Sequence, residues 1–153
     1  LAGMESLQEL DMEMRIESLE PLRNLKNLRV LSVVKGPAVE GSFQSMEPLS
    51  GLTQLESLEI GIRQADVDLS CLSGLTKLRN LYIQGTMNNS EDPIIDLTPL
   101  ENLTELQTLD LSLAQIRDLT PLASLPNLQS VTIFGPENLD TTPLAHVPSV
   151  NIN

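Results

Sequence analysis

The side chains of this sequence that could take part in chemistry are one cysteine, one histidine and 21 acidic residues. Cys71 has no second cysteine, so it can form neither a disulfide within the chain nor a cysteine-based metal site. His146 is the single histidine, and no Ser-His-Asp set, Cys-His pair or glycine-rich phosphate loop accompanies it. Because no nucleophile is paired with a base, we predict that the chain is not an enzyme and needs no cofactor.

Two sets of oxygen ligands remain to be considered. Residues 88–92 (NNSED) carry the oxygen types that Ca²⁺ prefers, but they lack the EF-hand spacing, so we expect a solvated loop and no metal site. Glu59 and Asp110, if they face the same way with one strand between them, lie roughly 9–10 Å apart at ~4.8 Å per strand. That separation suits an inverting glycosidase. An open strand face excludes no water, however, so we predict no catalysis there.

The charge balance limits the partners. Nine Lys and Arg residues against 21 Asp and Glu residues give a formal net charge of −12. Such a surface repels phosphate backbones and anionic lipid, so neither nucleic acid nor a membrane surface is an expected partner. No apolar run approaches the length of a bilayer span, and we expect no membrane insertion. The acidity either keeps an apolar protein soluble or attracts a basic protein.

The strands and helices that position these side chains can be predicted from an internal sequence repeat. Residues 96–111 (DLTPLENLTELQTLDL) and 118–133 (DLTPLASLPNLQSVTI) match position for position at an offset of 22. Their skeleton, L-x-x-L-x-x-L-x-x-L-x-L, recurs along the whole chain. The copies begin at Leu1, Leu22, Leu49, Leu72, Leu100 and Leu122, and a last copy that begins at Leu144 fits if three residues of its helical part are deleted.

The spacing within each copy predicts its local structure. Apolar residues three apart, such as Leu100, Leu103 and Leu106, favour a short helical or 3₁₀ segment with one face inward. The closing L-x-L has a period of two, which favours a short strand. No single copy can bury its leucines, so we predict that neighbours stack and pair their strands in parallel. Thr98 and Thr120, each followed by proline, are predicted helix N-caps.

This pattern resembles the internalin-like class of bacterial leucine-rich repeats, over nearly the whole chain. The resemblance implies an α/β right-handed solenoid of about seven turns, with a parallel sheet on the concave side and short helices or 3₁₀ turns on the convex side, forming one domain over residues 1–153. It also implies a recognition module that binds a protein, or alternatively a glycan, on the concave strands. A structural spacer or a regulatory segment of a larger protein is the alternative. The resemblance favours a bacterial secreted or cell-surface location.

Three departures from the repeat are visible. The asparagine that the repeat class carries after the strand is replaced in every copy, which predicts irregular or wider bends at that edge. Insertions at residues 35–44 and 86–93 are rich in turn-forming residues and are either neutral length variation or binding loops. Because Leu1 lies inside the pattern and Val150 and Ile152 end it without a polar cap, we expect a segment of a longer protein.

Strand residues that alternate with the buried ones define the concave strand face, and they align in three predicted columns. The middle column is Asp11, Ser32, Glu59, Tyr82, Asp110, Thr132 and Asn151. The first column is Glu9, Val30, Ser57, Asn80, Thr108, Ser130 and Ser149. The third column is Glu13, Val34, Gly61, Gln84, Ser112, Phe134 and Asn153, which places Ser112 beside Phe134.

The candidate binding residues on this face are Tyr82, Glu59, Asp110, Phe134, Asp11 and Glu9, with Phe43 added from the first insertion. Tyr82 is the preferred anchor because aromatic side chains dominate protein interfaces. Phe43 and Phe134 are either further contacts or local plugs over the edge of the solenoid. The acidic start of the face either attracts a basic partner or serves only solvation.

Overall fold

The computed structural model describes residues 3–13, 18–34, 45–62, 68–85, 94–134, 136 and 138–153. In that part of the chain, parallel strands form one sheet in chain order, so each strand pairs with the strand of the preceding and the following turn. The strands are β1 (Glu9–Glu13), β2 (Val30–Val34), β3 (Ser57–Ile62), β4 (Asn80–Gly85), β5 (Thr108–Gln115), β6 (Ser130–Phe134) and β7 (Ser149–Ile152). The predicted leucine-rich-repeat solenoid with a parallel sheet is confirmed.

Short 3₁₀ helices return the chain from one strand to the next, and they explain the three-residue leucine spacing. They are Glu20–Leu22, Glu47–Gly51, Ser70–Leu72, Thr98–Leu100, Thr120–Ser124 and Thr142–Leu144. The amide of Leu103 donates to the carbonyl of Leu100 at 3.0 Å, and that of Leu106 donates to Leu103 at 2.9 Å. Each i to i−3 bond therefore joins one leucine to the next, and all of these leucines face the same way.

The residues that cap these helices differ from the prediction. Thr98 and Thr120 are the first residues of their helices and not N-caps. The capping atom belongs to an aspartate two residues earlier: Oδ1 of Asp96 accepts the backbone N–H of Thr98 at 2.9 Å, and Oδ1 of Asp118 accepts that of Thr120 at 2.8 Å. Aspartate two residues before an amide forms this local turn readily, so the predicted threonine caps were wrong.

The core is a single aliphatic stack that runs the length of the sheet. The repeat leucines of the inner turns, such as Leu55, Leu78 and Leu103, are fully buried. Among the described residues no polar or charged side chain is buried. The two end turns cover less of their apolar surface, with Met4 48% and Val150 39% exposed. Stability therefore comes from contact between neighbouring turns, as expected for a repeat protein.

The bends after the strands coincide largely with residues that the structure does not describe. Both insertions, residues 35–44 and 86–93, lie outside the described residues. The described part of this edge is irregular at β5, where the pairing with β6 shifts between Leu111 and Gln115. The prediction of irregular bends is confirmed at that point.

Asparagines do connect neighbouring turns, but at another position of the repeat. Nδ2 of Asn27 donates to the carbonyl oxygen of Glu5, and Nδ2 of Asn127 donates to that of Thr104, both at 2.8 Å. Each of these asparagines precedes the last leucine before a strand. Their amides satisfy backbone carbonyls of the preceding turn and so join neighbouring turns by hydrogen bonds.

Candidate recognition surface

The concave strand face arises from the two-residue period of the strands. In β2, Leu31 and Val33 are 1% and 0% exposed, because their side chains enter the aliphatic core. Val30 on the same strand is 37% exposed, and Ser32 and Val34 are half-buried. The rigid core therefore fixes the backbone that presents the outward residues.

Two of the three predicted columns are confirmed by the strand register. The first column is Glu9, Val30, Ser57, Asn80, Thr108, Ser130 and Ser149. The middle column is Asp11, Ser32, Glu59, Tyr82, Asp110, Thr132 and Asn151. In both columns each residue pairs with its neighbour on the adjacent strand without a shift, so the side chains form straight rows across the sheet.

The third column departs from the prediction at its end. Gly61 pairs with Gln84, and Gln84 pairs with Ser112. Phe134 was predicted beside Ser112, but its partner is Gln115. The extra residues of β5 after Leu111 are passed over by β6, which moves the partner of Phe134 three residues along β5. Phe134 therefore ends β6 outside the straight row.

Tyr82 lies at the centre of the middle column. It pairs with Glu59 on β3 and with Asp110 on β5, and all three side chains are half-buried. Phe43, the candidate from the first insertion, lies outside the described residues. Glu9 and Asp11 on β1 are exposed at one end of the same face. The structure thus brings Tyr82, Glu59 and Asp110 together in the middle column, places Asp11 at one end of that column and places Glu9 in the first column.

The carboxylate of Glu59 is held in place by neutral donors. Oγ of Ser32 donates to Oε2 at 3.4 Å, and Nε2 of Gln84 donates to Oε1 at 3.2 Å. Both donors lie on neighbouring strands of the concave strand face. A hydroxyl and an amide orient a carboxylate without cancelling its charge, so Glu59 presents a fixed negative charge beside the ring of an aromatic residue.

The strands that form this face, β1 to β7, carry acidic residues but no basic ones, since their sequences contain no lysine or arginine. Arg23 lies in the returning segment between Glu20 and Glu47 and bonds to both, which raises the pKa of Arg23 and lowers that of Glu20. The strand side is consequently acidic, and the described arginine–carboxylate pairs belong to the rest of the repeat.

A second feature, which the sequence did not predict, lies where the chain enters the strands. A shallow cavity of about 350 Å³ is lined by Glu56, Lys77, Arg79 and Glu105. Arg79 pairs with Glu105 at 3.7 Å, and Nζ of Lys77 donates to Oε1 of Gln54 at 2.6 Å. The signal in the sequence is the alternation of charge at the residue before three consecutive strands, Arg29, Glu56 and Arg79. Its acids and bases neutralise each other, so the cavity offers no net charge to a ligand.

The two side chains with intrinsic reactivity have structural surroundings. Burial and the carboxylate of Asp68 raise the pKa of the Cys71 thiol to about 12, so it is protonated at neutral pH and a poor nucleophile. Nε2 of His146 lies 3.0 Å from the carbonyl oxygen of Leu125 in the preceding turn. Within the described ranges, no group of three or more His, Cys, Asp or Glu residues is arranged to hold a metal ion. No helix in the same ranges has the length and apolar character needed to span a bilayer.

Comparison with known proteins gives structural matches only. Neither a scan of protein-family models nor a search of curated proteins gives a match. Among solved structures, an internalin C2 of Listeria monocytogenes is 27% identical with a TM-score of 0.61, and the match covers 98% of this chain and 73% of that one. Another Listeria monocytogenes internalin is 29% identical with a TM-score of 0.68, covering 97% of this chain and 47% of that one.

A third match, which bears on the fold alone, is a leucine-rich-repeat protein of Leptospira interrogans. It is 20% identical with a TM-score of 0.69, and the match covers 98% of this chain and 38% of the other. The chain therefore spans less than half the length of two of these three proteins. All three matches extend over nearly every repeat, which is what a shared solenoid geometry requires.

Proposed function

Because the chain is an internalin-like leucine-rich-repeat protein, we propose that it is a recognition module that binds a partner protein through its concave strand face. Repeats of this kind are commonly used for protein recognition. The proposal treats residues 1–153 as one binding unit without catalytic activity. A long open sheet suits a macromolecule better than a small ligand, because small ligands need an enclosing cleft.

The observation that carries the proposal is the position of Tyr82. Its half-buried side chain lies on the central strand of the sheet, in a straight row between Glu59 and Asp110. A tyrosine presents a large rigid surface and a polar hydroxyl, and such residues near the centre of an interface contribute most of the binding free energy. The core beneath it fixes its backbone, which lowers the entropy lost on binding.

The test begins by capturing the partner at this point of the surface. A photo-cross-linking amino acid replaces Tyr82 in one variant and Ile94 in the other. Ile94 is a matched control because it is a large apolar residue, 54% exposed, outside β1 to β7. We expect a partner protein to cross-link from position 82 and not from position 94.

The affinity of the identified partner is then measured directly. We expect Tyr82→Ala to weaken binding by about tenfold or more, and Ile94→Ala to change it by less than about twofold. If the partner binds equally well to a variant that combines Tyr82→Ala, Glu59→Gln and Asp110→Asn, the concave strand face is not the binding surface. A glycan as the captured molecule would replace the protein in the proposal.

A further inference from the structure

The carboxylates of the middle column occur on every second strand. Asp11 lies on β1, Glu59 on β3 and Asp110 on β5, with Ser32 and Tyr82 on the strands between them. Neighbouring strands are ~4.8 Å apart, so successive carboxylates of the row are roughly 9.6 Å apart. The row therefore carries negative charge at a regular interval across the sheet, perpendicular to the strands.

The sign of the charge selects the partner. All nine lysines and arginines of the chain lie outside β1 to β7. Strands that carry carboxylates and no lysine or arginine in their own sequence attract a cationic surface and repel an anionic one. Tyr82 adds an aromatic ring between two of the carboxylates, and such a ring attracts a cation within about 6 Å of its centre.

The spacing between successive carboxylates of the middle column favours one conformation of the bound segment. A polyproline II segment has three residues per turn and a rise of about 3.1 Å, so every third side chain falls on one side at intervals of about 9.3 Å. A β-strand places residues three apart on opposite sides. An α-helix places residues seven apart on nearly the same side, at about 10.5 Å. Over two intervals the polyproline II segment deviates from the row by less than about 1 Å, and the helix by about 2 Å.

We propose that the middle column docks an extended, cationic segment of a partner protein that crosses the strands and carries lysine or arginine at every third residue. The proposal rests on protein recognition by the concave strand face and adds the chemistry and geometry of the partner. Basic side chains lie over Asp11, Glu59 and Asp110, and the residues between them pack on Ser32 and Tyr82. Extended segments bind aromatic surfaces in this way without losing much conformational entropy.

Two synthetic peptides of equal composition test the spacing. One has about four Lys-Pro-Pro repeats, which place lysine at every third residue of a polyproline II segment. The other contains the same residues with all lysines in one central block. Affinity is measured by fluorescence anisotropy at about 20 mM and about 150 mM NaCl, because screening weakens exposed charge pairs. We expect the spaced peptide to bind at least about threefold more tightly than the blocked peptide.

Two triple variants of the protein separate the row from the overall charge. Asp11→Asn, Glu59→Gln and Asp110→Asn remove the row. Glu5→Gln, Glu101→Gln and Glu105→Gln remove three carboxylates outside the strands. Each set changes the formal net charge from −12 to −9. Circular dichroism confirms that both variants retain the fold. We expect only the first set to abolish the preference for the spaced peptide.

Other outcomes overturn the inference. If both peptides bind alike and both variants weaken them alike, the protein attracts polycations through net charge alone. If neither peptide binds at low salt, or a helical peptide with lysine at every seventh residue binds more tightly, the proposed segment is wrong. In each of these cases, recognition through Tyr82 is still decided by the separate cross-linking test. Failure of the cationic-segment proposal is therefore distinguishable from failure of the proposed function.

Discussion

Because the core is built from contacts between neighbouring turns, we predict that the same isoleucine-to-alanine substitution lowers the free energy of unfolding by different amounts at two paired positions. Ile133 on β6 and Ile152 on β7 are direct neighbours in the register. Ile133 is 0% exposed, whereas Ile152 is half-buried and packs against the edge of the core. Replacing each by alanine removes the same atoms, so the difference in cost reports on packing between turns.

The magnitude follows from burial. Removing roughly three methylene equivalents at ~0.8 kcal/mol each costs about 2.4 kcal/mol, and the cavity left in a closed core raises the loss at Ile133 to about 3–4 kcal/mol. At Ile152 about half of the side chain is already in water and the site can relax, so the loss is about 1 kcal/mol. Thr132→Ala, on the outward side of β6, is the control and should cost less than about 1 kcal/mol.

Urea denaturation followed by far-ultraviolet circular dichroism measures these free energies of unfolding. We expect Ile133→Ala to shift the midpoint about three times as far as Ile152→Ala, with little change in the slope. Equal losses at the two positions would refute the reasoning, because they would show that the cost does not depend on the neighbouring turn. A larger loss at Ile152 would refute it as well.

Two further predictions concern titratable groups. Hydrogen bonds from the hydroxyl and the backbone N–H of the threonine two residues later (Thr98, Thr120 and Thr142) hold the pKa of Asp96, Asp118 and Asp140 below the ordinary value of about 4. Their contribution to the free energy of unfolding is therefore present above that value and is lost as the pH falls through the lowered folded-state pKa. When all three aspartates are replaced by asparagine, acid unfolding followed by circular dichroism should depend less on pH. An unchanged profile would contradict this. Cys71, whose pKa is raised to about 12, should react slowly with a thiol reagent at neutral pH and much faster in denaturant, and equal rates in the two conditions would show that its thiol is not protected.

The part of the fold that the sequence predicts is the part that repeats. Leu78 and Leu103 could be placed in the core because their three-residue spacing has one structural solution, and the strand pairs could be aligned because the last two apolar residues of each copy must stack. Tyr82 could be placed between Glu59 and Asp110 for the same reason. The register of the first and middle columns is thus a consequence of the core and needs no information about the surface.

The parts that the sequence did not predict depend on local geometry without a period. Oδ1 of Asp96 accepts the backbone N–H of Thr98, a local turn that adds nothing to the apolar pattern, whereas the prediction assigned the cap to the threonine itself. Asn127 lies one residue before the last leucine of its turn, where no pattern of buried residues distinguishes it. The shifted pairing of Phe134 depends on how far β5 continues after Leu111, and the repeat of buried leucines ends before that point.

The alternation of inward and outward residues along each strand separates positions that determine the fold from positions that determine the surface. Leu81 and Ile83 are fully buried, and a change at either position disturbs the turns on both sides. Ser32, Tyr82 and Thr132 have no share in that stack and can be exchanged one at a time at little cost to folding. Under the proposed function, single substitutions in the rows therefore change what the surface binds, while the buried scaffold that positions them stays the same.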